Sequence, residues 1–305
     1  MTLPPSVPDL TTTPPGTEPR ALRRWRHRFA ERVAVVRDLP WRASRDPWAI
    51  LVSEVMLQQT QVSRVIPSWG SFLAAMPTPQ ACADAGQAEV VRRWEGLGYH
   101  RRAVALHRCA VEIVERHGGV LPCDLDALLA LSGVGPYTAR AVLAFAFEED
   151  VAVVDTNVAR VLSRAVVGES LTAARAQALA DALISKGGGW SHNQAMLDLG
   201  ALHCRSRPLC ETCPIRRSCA WNRAGQPSPD PARGSAGTSK PQSRFEGSDR
   251  QLRGRLLDAA RKGQDRSVWG GHLEERFGAD RVTAALGALE SEGLVVQNNG
   301  VLGLA

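Results

Sequence analysis

Four cysteines fall within sixteen residues, as Cys204-x5-Cys210-x2-Cys213-x5-Cys219. Four thiolates that close in sequence can wrap one metal centre. Tetrahedral zinc is one reading, although zinc modules more often pair two Cys-x2-Cys knuckles and only one short spacing occurs here. An iron–sulfur cluster is the other, because such clusters are held by four Cys in uneven spacings. A disulfide framework does not suit a reducing compartment. The remaining Cys82, Cys109 and Cys123 sit in helix-like contexts and read as small buried apolar residues.

Two carboxylates stand in patterns that also allow chemistry. Glu54 lies in the run Asp46-Pro47-Trp48-Ala49-Ile50-Leu51-Val52-Ser53-Glu54-Val55-Met56-Leu57-Gln58-Gln59-Thr60 and shares a helix face with Ile50 and Leu57. Such a carboxyl is either paired to an arginine or protonated near neutral pH by its apolar surroundings, as a general acid requires. Asp155 follows the apolar run Val151 to Val154 and precedes a helical pattern containing Val158 and Leu162. Taken alone it is a standard N-cap. Capping and catalysis are compatible, and cap hydrogen bonds are expected to hold its carboxylate ionised and oriented.

The elements that position these groups are helical. From Arg20 to about Asn222 apolar residues repeat at helical spacing, and Asp46-Pro47 reads as a helix start. Leu131-Ser132-Gly133-Val134-Gly135-Pro136-Tyr137-Thr138-Ala139 reads as two helices joined by a sharp turn. Gly133 and Gly135 permit close backbone approach, and Pro136 occupies the first helical position. Free N–H groups at such a turn make an anion site suited to a phosphate.

The predicted organisation is a disordered Pro- and Thr-rich tail over 1–19, a helical core over 20–223 with the cysteine loop at 204–219, a linker over 224–249 and a small module over 250–305. In the last, two helical patterns precede a hairpin closed at Asn298-Asn299-Gly300, which together read as winged-helix-like. The tail lacks a signal-peptide pattern and no apolar run is long enough for a bilayer, so a cytoplasmic, membrane-free protein is expected. The net charge of +6 suits a polyanionic partner. Arginines cluster over 20–32, over 92–108 and within the cysteine loop, where solvated helix faces are the plain alternative.

These strings together resemble the MutY family of adenine DNA glycosylases, within the endonuclease III-like helix-hairpin-helix superfamily. The likeness covers roughly Leu39 to Cys219. It is carried by Leu39-Pro40-Trp41-Arg42, Ser53 to Val62, Gly96-Leu97-Gly98-Tyr99, the hairpin, Val154-Asp155-Thr156-Asn157-Val158 and the four cysteines. The resemblance implies a mainly α helix-hairpin-helix fold, one 4Fe–4S cluster at Cys204, Cys210, Cys213 and Cys219, and a monomer acting on double-stranded DNA that contains an adenine mispair. The substrate would be adenine opposite 8-oxoguanine or guanine, flipped from the stack and released by hydrolysis of its N-glycosidic bond.

In that reading Glu54 protonates the leaving adenine and Asp155 stabilises the sugar cation, the division of labour of two-carboxylate glycosidases. Tyr137 and Asn157 support Asp155 and the DNA backbone. Trp41, Arg42, Leu57 and Gln194 line the adenine pocket. Gln59 and Tyr99 wedge into the duplex, and Gly133, Val134 and Gly135 take a phosphate; Trp41 and Tyr99 as core aromatics are the alternative. Endonuclease III-type relatives carry a catalytic lysine where this chain has Tyr137, so strand cleavage through a Schiff base is not expected.

Two other functions fit parts of the pattern: a thymine or oxidised-pyrimidine glycosylase on the same scaffold, and a non-catalytic cluster-bearing DNA-binding or redox-sensing protein. Glu54 with Asp155 argues against the second. The chain departs from the family at its end, where many members carry a larger β-rich domain that reads 8-oxoguanine. Residues 250–305 are shorter, lack that domain's Phe-Ser-His string, and hold eight Lys plus Arg against seven Asp plus Glu.

Overall fold

The computed structural model describes residues 20–235 and 244–305; the expected tail over 1–19 lies outside them. The helices run α1 (Arg20–Arg32), α2 (Pro47–Leu57), α3 (Val62–Ala75), α4 (Pro79–Arg93), α5 (Arg101–His117), α6 (Leu125–Leu129) and α7 (Pro136–Phe145). They continue with α8 (Thr156–Val161), α9 (Ala173–Leu183), α10 (Gly189–Leu202), α11 (Ala220–Arg223), α12 (Asp249–Arg261), α13 (Arg266–Phe277) and α14 (Ala279–Ser291). Two strands close the chain, β1 (Val295–Asn298) and β2 (Val301–Leu304). No helix among the described residues is long and apolar enough to cross a membrane.

Side-chain caps set half of the helix starts. Asp46 accepts from Trp48 N at 3.0 Å, Thr78 from Ala81 N at 3.1 Å, Asp124 from Ala127 N at 2.9 Å and Asp155 from Val158 N at 2.7 Å. Each satisfies a donor that the helix leaves unpaired. In the terminal hairpin β1 pairs antiparallel with β2, Asn298 opposite Val301. The two turn residues Asn299 and Gly300 have φ of 50° and 84°, the conformation a tight hairpin turn demands and Asn-Gly tolerates.

The described residues fall into two units. One comprises those up to Arg45 and from Ala139 to 235. Its core joins Trp25 and Phe29 of α1 to Val158 and Val161 of α8, Leu179 and Leu183 of α9 and Leu199 of α10. After α8 the helix widens to a π-helix over Leu162–Val167. The other unit comprises Asp46 to Thr138 and 244 to Ala305. There α2 is buried on nearly every side, Trp48, Ile50, Leu51 and Met56 being at most 2% exposed. Phe72 of α3 meets Trp94 edge-on, with ring centroids 6.2 Å apart.

This division differs from the boundaries read from sequence. The terminal module belongs to the same unit as α2–α6 rather than standing alone. Residues 224–235, expected as linker, fold back on their own unit: Ala232 and Ser235 are buried and Asp230 pairs with Arg164. Composition hid this because a Pro- and Gly-rich segment is held by individual polar contacts, not by periodic apolar ones. Cys82 and Cys109 are buried as expected, whereas Cys123 is exposed, in the loop before α6.

Candidate active site

Asp155 caps α8 with both carboxylate oxygens engaged. Oδ1 accepts from Val158 N at 2.7 Å and Oδ2 from Asn157 Nδ2 at 2.6 Å. Asn157 is itself oriented by Arg160, whose Nη2 donates to Asn157 Oδ1 at 2.7 Å while its Nε donates to the Cys204 carbonyl at 3.0 Å. A continuous run of hydrogen bonds thus joins Asp155 to the first cysteine. The cap bonds orient the Asp155 carboxylate, and each of them lowers its pKa. Burial pushes the pKa up, and it outweighs the lowering by Val158, Asn157 and Arg160.

Packing against this helix is tight at one point. A Cβ built on Gly200 of α10 would stand 2.6 Å from Asn157 Cβ and 2.9 Å from its carbonyl oxygen. Gly200→Ala is therefore expected to destabilise the protein by about 1–3 kcal/mol through overpacking. It should also slow any chemistry that depends on Asp155, because Asn157 must move. Urea unfolding and single-turnover rates on the same preparation check both effects.

The predicted base-pocket residues Trp41, Arg42 and Gln194 are all buried in this unit, and sequence reading missed what joins them. Asp198, 1% exposed, lies one turn after Gln194 on α10. It accepts from Arg42 Nη1 at 3.0 Å and Nη2 at 2.7 Å, from Arg37 Nε at 2.5 Å, and from Val36 N and Arg37 N. Burial alone would raise its pKa. The bonds from Arg42, Arg37 and Val36 outweigh that and hold the carboxyl well below the usual range. Two of Arg42's three nitrogens are thereby committed to structure, while its buried Nε has no hydrogen-bond partner.

Below the end of α10 the four cysteines, all half-buried, line one pocket with Val161, Leu199, Ile215 and Trp221. Backbone N–H groups of Ile215 and of Trp221 and Asn222 approach Cys213 and Cys219 respectively, and Arg164 Nη1 lies 3.6 Å from Cys204 Sγ. Arg164 also binds Asp230 and the carbonyls of Arg205 and Ser206, bracing the loop. Among the described residues no three potential ligands converge on a single-ion site. Sulfurs lining a common apolar pocket and receiving N–H donors fit a multi-iron centre held by thiolates.

In the other unit Glu54 is 5% exposed on α2, with Leu57 one turn on and half-buried. Gln58 at the end of that helix donates to Thr138 Oγ1 at 3.4 Å, next to Tyr137. The glycine turn needs its glycine at Gly133, whereas a Cβ at Gly135 would meet nothing within 4 Å. Gly133 has φ 77°, a Cβ there would meet Ala105 Cβ at 2.8 Å, Val134 is buried and Gly135 exposed. Glu112 of α5, unnoticed in the sequence, fastens the turn by accepting from Ser132 N and Ser132 Oγ, both at 2.7 Å.

Gln59 and Tyr99 line one cleft, and each has positive φ, 56° and 49°, an uncommon state for residues other than glycine. Arg102 supports both segments. Its guanidinium donates to the carbonyls of Val55, Met56 and Gln58 on one side and of Leu97 and Gly98 on the other. The arginine that composition reads as a solvated cation is thus a structural strut, its pKa lowered by burial to about 10 yet still charged at neutral pH.

Residues 52–185 match the model of the HhH-GPD superfamily of base excision DNA repair proteins. An adenine DNA glycosylase of Mycolicibacterium smegmatis is 44% identical over 274 residues, covering 86% of this chain and 88% of that one. Among solved structures, a thermostable thymine-DNA glycosylase aligns with a TM-score of 0.59 at 27% identity, over 67% of this chain and 95% of its own. An endonuclease III–DNA covalent intermediate aligns with 0.56 at 22% identity, over 68% and 96%, which shows the shared fold. The helices, the glycine turn and the length of the match lead to one assignment: the chain belongs to the adenine DNA glycosylases of the HhH-GPD base excision repair superfamily.

Proposed function

We propose that this chain is a monofunctional, monomeric glycosylase that hydrolyses the N-glycosidic bond of adenine paired with 8-oxoguanine or guanine in duplex DNA. The observation that carries the reading is Glu54, an ionisable group held 5% exposed on an otherwise apolar, buried helix, where a carboxyl has a high desolvation cost and a catalytic use. Adenine leaves poorly through N9 until N7 is protonated. Glu54 supplies that proton as its carboxylic acid and, once ionised, takes one from the attacking water. Asp155 is oriented by Asn157 and Val158 to stabilise the oxocarbenium-like sugar. By the family resemblance Trp41, Arg42, Leu57 and Gln194 are the residues that meet the adenine, Gln59 and Tyr99 fill the space left in the stack, and Gly133 to Gly135 hold a phosphate. Tyr137, in place of an amine, leaves no route to a Schiff base.

Duplexes with adenine opposite 8-oxoguanine, guanine, cytosine and thymine test this. Adenine should be released fastest from the first two, with strand breaks only after alkali and no adduct trapped by borohydride. Release of thymine instead, or borohydride trapping at the rate of base loss, defeats the proposal.

Cys204, Cys210, Cys213 and Cys219 would hold a 4Fe–4S cluster, which when bound supplies a rigid, electron-accepting centre on which the loop folds. Anaerobically purified protein is expected to be yellow-brown with about four irons per chain. Stoichiometric zinc without iron is the contrary result. The terminal segment 250–305 is read as a winged-helix-like module that contributes to lesion recognition.

A further inference from the structure

The terminal module is docked, not tethered. Glu292, just after α14, binds Arg101 of α5 at 2.6 Å and Arg253 of α12 at 2.5 Å. Gln87 of α4 bonds to the Gly293 carbonyl, and Arg261 Nη2 lies 2.9 Å from His100 Nε2. His100 accepts there as the neutral ring, because burial and then the guanidiniums of Arg261, Arg102 and Arg253 push its pKa down to about 4. These contacts leave a cleft of about 950 Å³ inside this unit. Gln59 and Tyr99 form one wall, and Arg250, Arg253 and Arg261 of α12 the other.

The cleft is strongly cationic although the module as a whole is nearly neutral. Six arginines and one carboxylate, Asp258, line it. Four of the six serve the fold: Arg102 in its backbone network, Arg261 with Asp258 and His100, and Arg101 and Arg253 with Glu292. Arg250 lies across the mouth, its Nη1 3.5 Å from Tyr99 Oη and its guanidinium over the Phe245 ring. The charge is concentrated beside Gln59 and Tyr99, both of left-handed backbone.

We infer that this cleft takes the phosphodiester backbone of the DNA strand opposite the target adenine, with Arg250, and Arg253 shared with Glu292, as its phosphate ligands. The inference rests on the proposed reading of Gln59 and Tyr99 as the residues that fill the space left by the flipped adenine. Its physical basis is independent of the chemistry: clustered guanidiniums match phosphate oxygens, and each neutralised phosphate releases condensed counterions. A module that is balanced in charge overall can still bind DNA when one face of one helix carries the cations.

The test is binding of the full chain to a duplex holding 2′-fluoro-adenosine, which resists release, opposite 8-oxoguanine, measured against salt concentration. Arg250→Ala and Arg253→Ala should each raise Kd roughly five- to twentyfold and lower the slope of log Kd against log salt by about 0.9. Arg250→Lys should keep the slope. Arg255→Ala, exposed on α12 but outside the cleft, should change neither quantity. Neutral methylphosphonates in the strand opposite adenine should erase the difference between wild type and Arg250→Ala, and the same linkages in the adenine strand should not.

Unchanged slopes for Arg250→Ala and Arg253→Ala, or cancellation by the adenine strand instead, overturn the inference. Should wild type bind yet fail to release adenine while the Arg250→Ala slope still falls, the proposed activity fails and the cleft stands.

Discussion

Asp155→Asn is expected to lower single-turnover adenine release by about a thousandfold or more, the scale of losing a positioned charged group, while duplex affinity stays within a few-fold. The geometry makes this a clean experiment. Asn is as good an N-cap as Asp, so the bond from Val158 N persists and α8 keeps its start. Two effects on stability oppose each other. Because burial raises the folded-state pKa of Asp155, ionisation in the native state costs free energy that the unfolded chain does not incur. That cost is absent below the unfolded value of about 4 and complete above the raised folded value, so at neutral pH the neutral Asn escapes it, while its Nδ2, set opposite the Asn157 Nδ2 donor, loses the second bond. The same shift places the acid limb of the wild-type rate profile above the usual carboxylate range, since Asp155 acts as the anion. A variant with near-wild-type rates, or an acid limb at an ordinary aspartate pKa, would remove Asp155 from this role. Glu54→Gln should lose activity on a similar scale by a different route, having no proton to give.

The catalytic role of Asp155 is what the family resemblance implies, whereas as a cap it was legible in the sequence, because it follows an apolar run and precedes a helical pattern. The cysteine spacing and the Asn299-Gly300 hairpin were legible for the same reason: short-range chemistry fixes them locally. The Ser132–Glu112 clasp, the Arg102 strut and the Arg164–Asp230 brace were not. Each joins residues 20 or more positions apart, or spends a surface-looking arginine on backbone carbonyls, and neither leaves a periodic trace. The interleaving of the two units was hidden likewise. Hydrophobic periodicity finds helices but is silent on which of them share a core, so residues 244–305 looked separate when they complete the unit that begins at Asp46.

Asp198 is where that blindness has the largest consequence. Asp198→Asn is expected to destabilise the protein by about 3–5 kcal/mol at neutral pH, the usual result of breaking a buried ion pair from one side. Asn can still accept a hydrogen bond, but Arg42, 6% exposed in its side chain, would keep its charge with no anion to meet it. The turn Pro40–Arg42 that carries Trp41 would lose its tie to α10, which carries Gln194, so adenine release should fall as well. The pH dependence identifies the cause. Asp198 has a depressed folded-state pKa, so its contribution is fully present above the unfolded value of about 4 and is lost as pH falls toward the folded one. The gap in urea midpoint between wild type and variant should therefore be constant from pH 8 to about pH 5 and narrow below about pH 4. Asp198→Glu, which keeps the charge but adds a methylene to a closed site, should recover part of the stability and little of the activity, because a longer arm cannot meet Arg42, Arg37 and the Val36 N–H at once. A variant as stable as wild type at pH 7, or a gap that does not close in acid, would show that the pair does not hold this part of the site together.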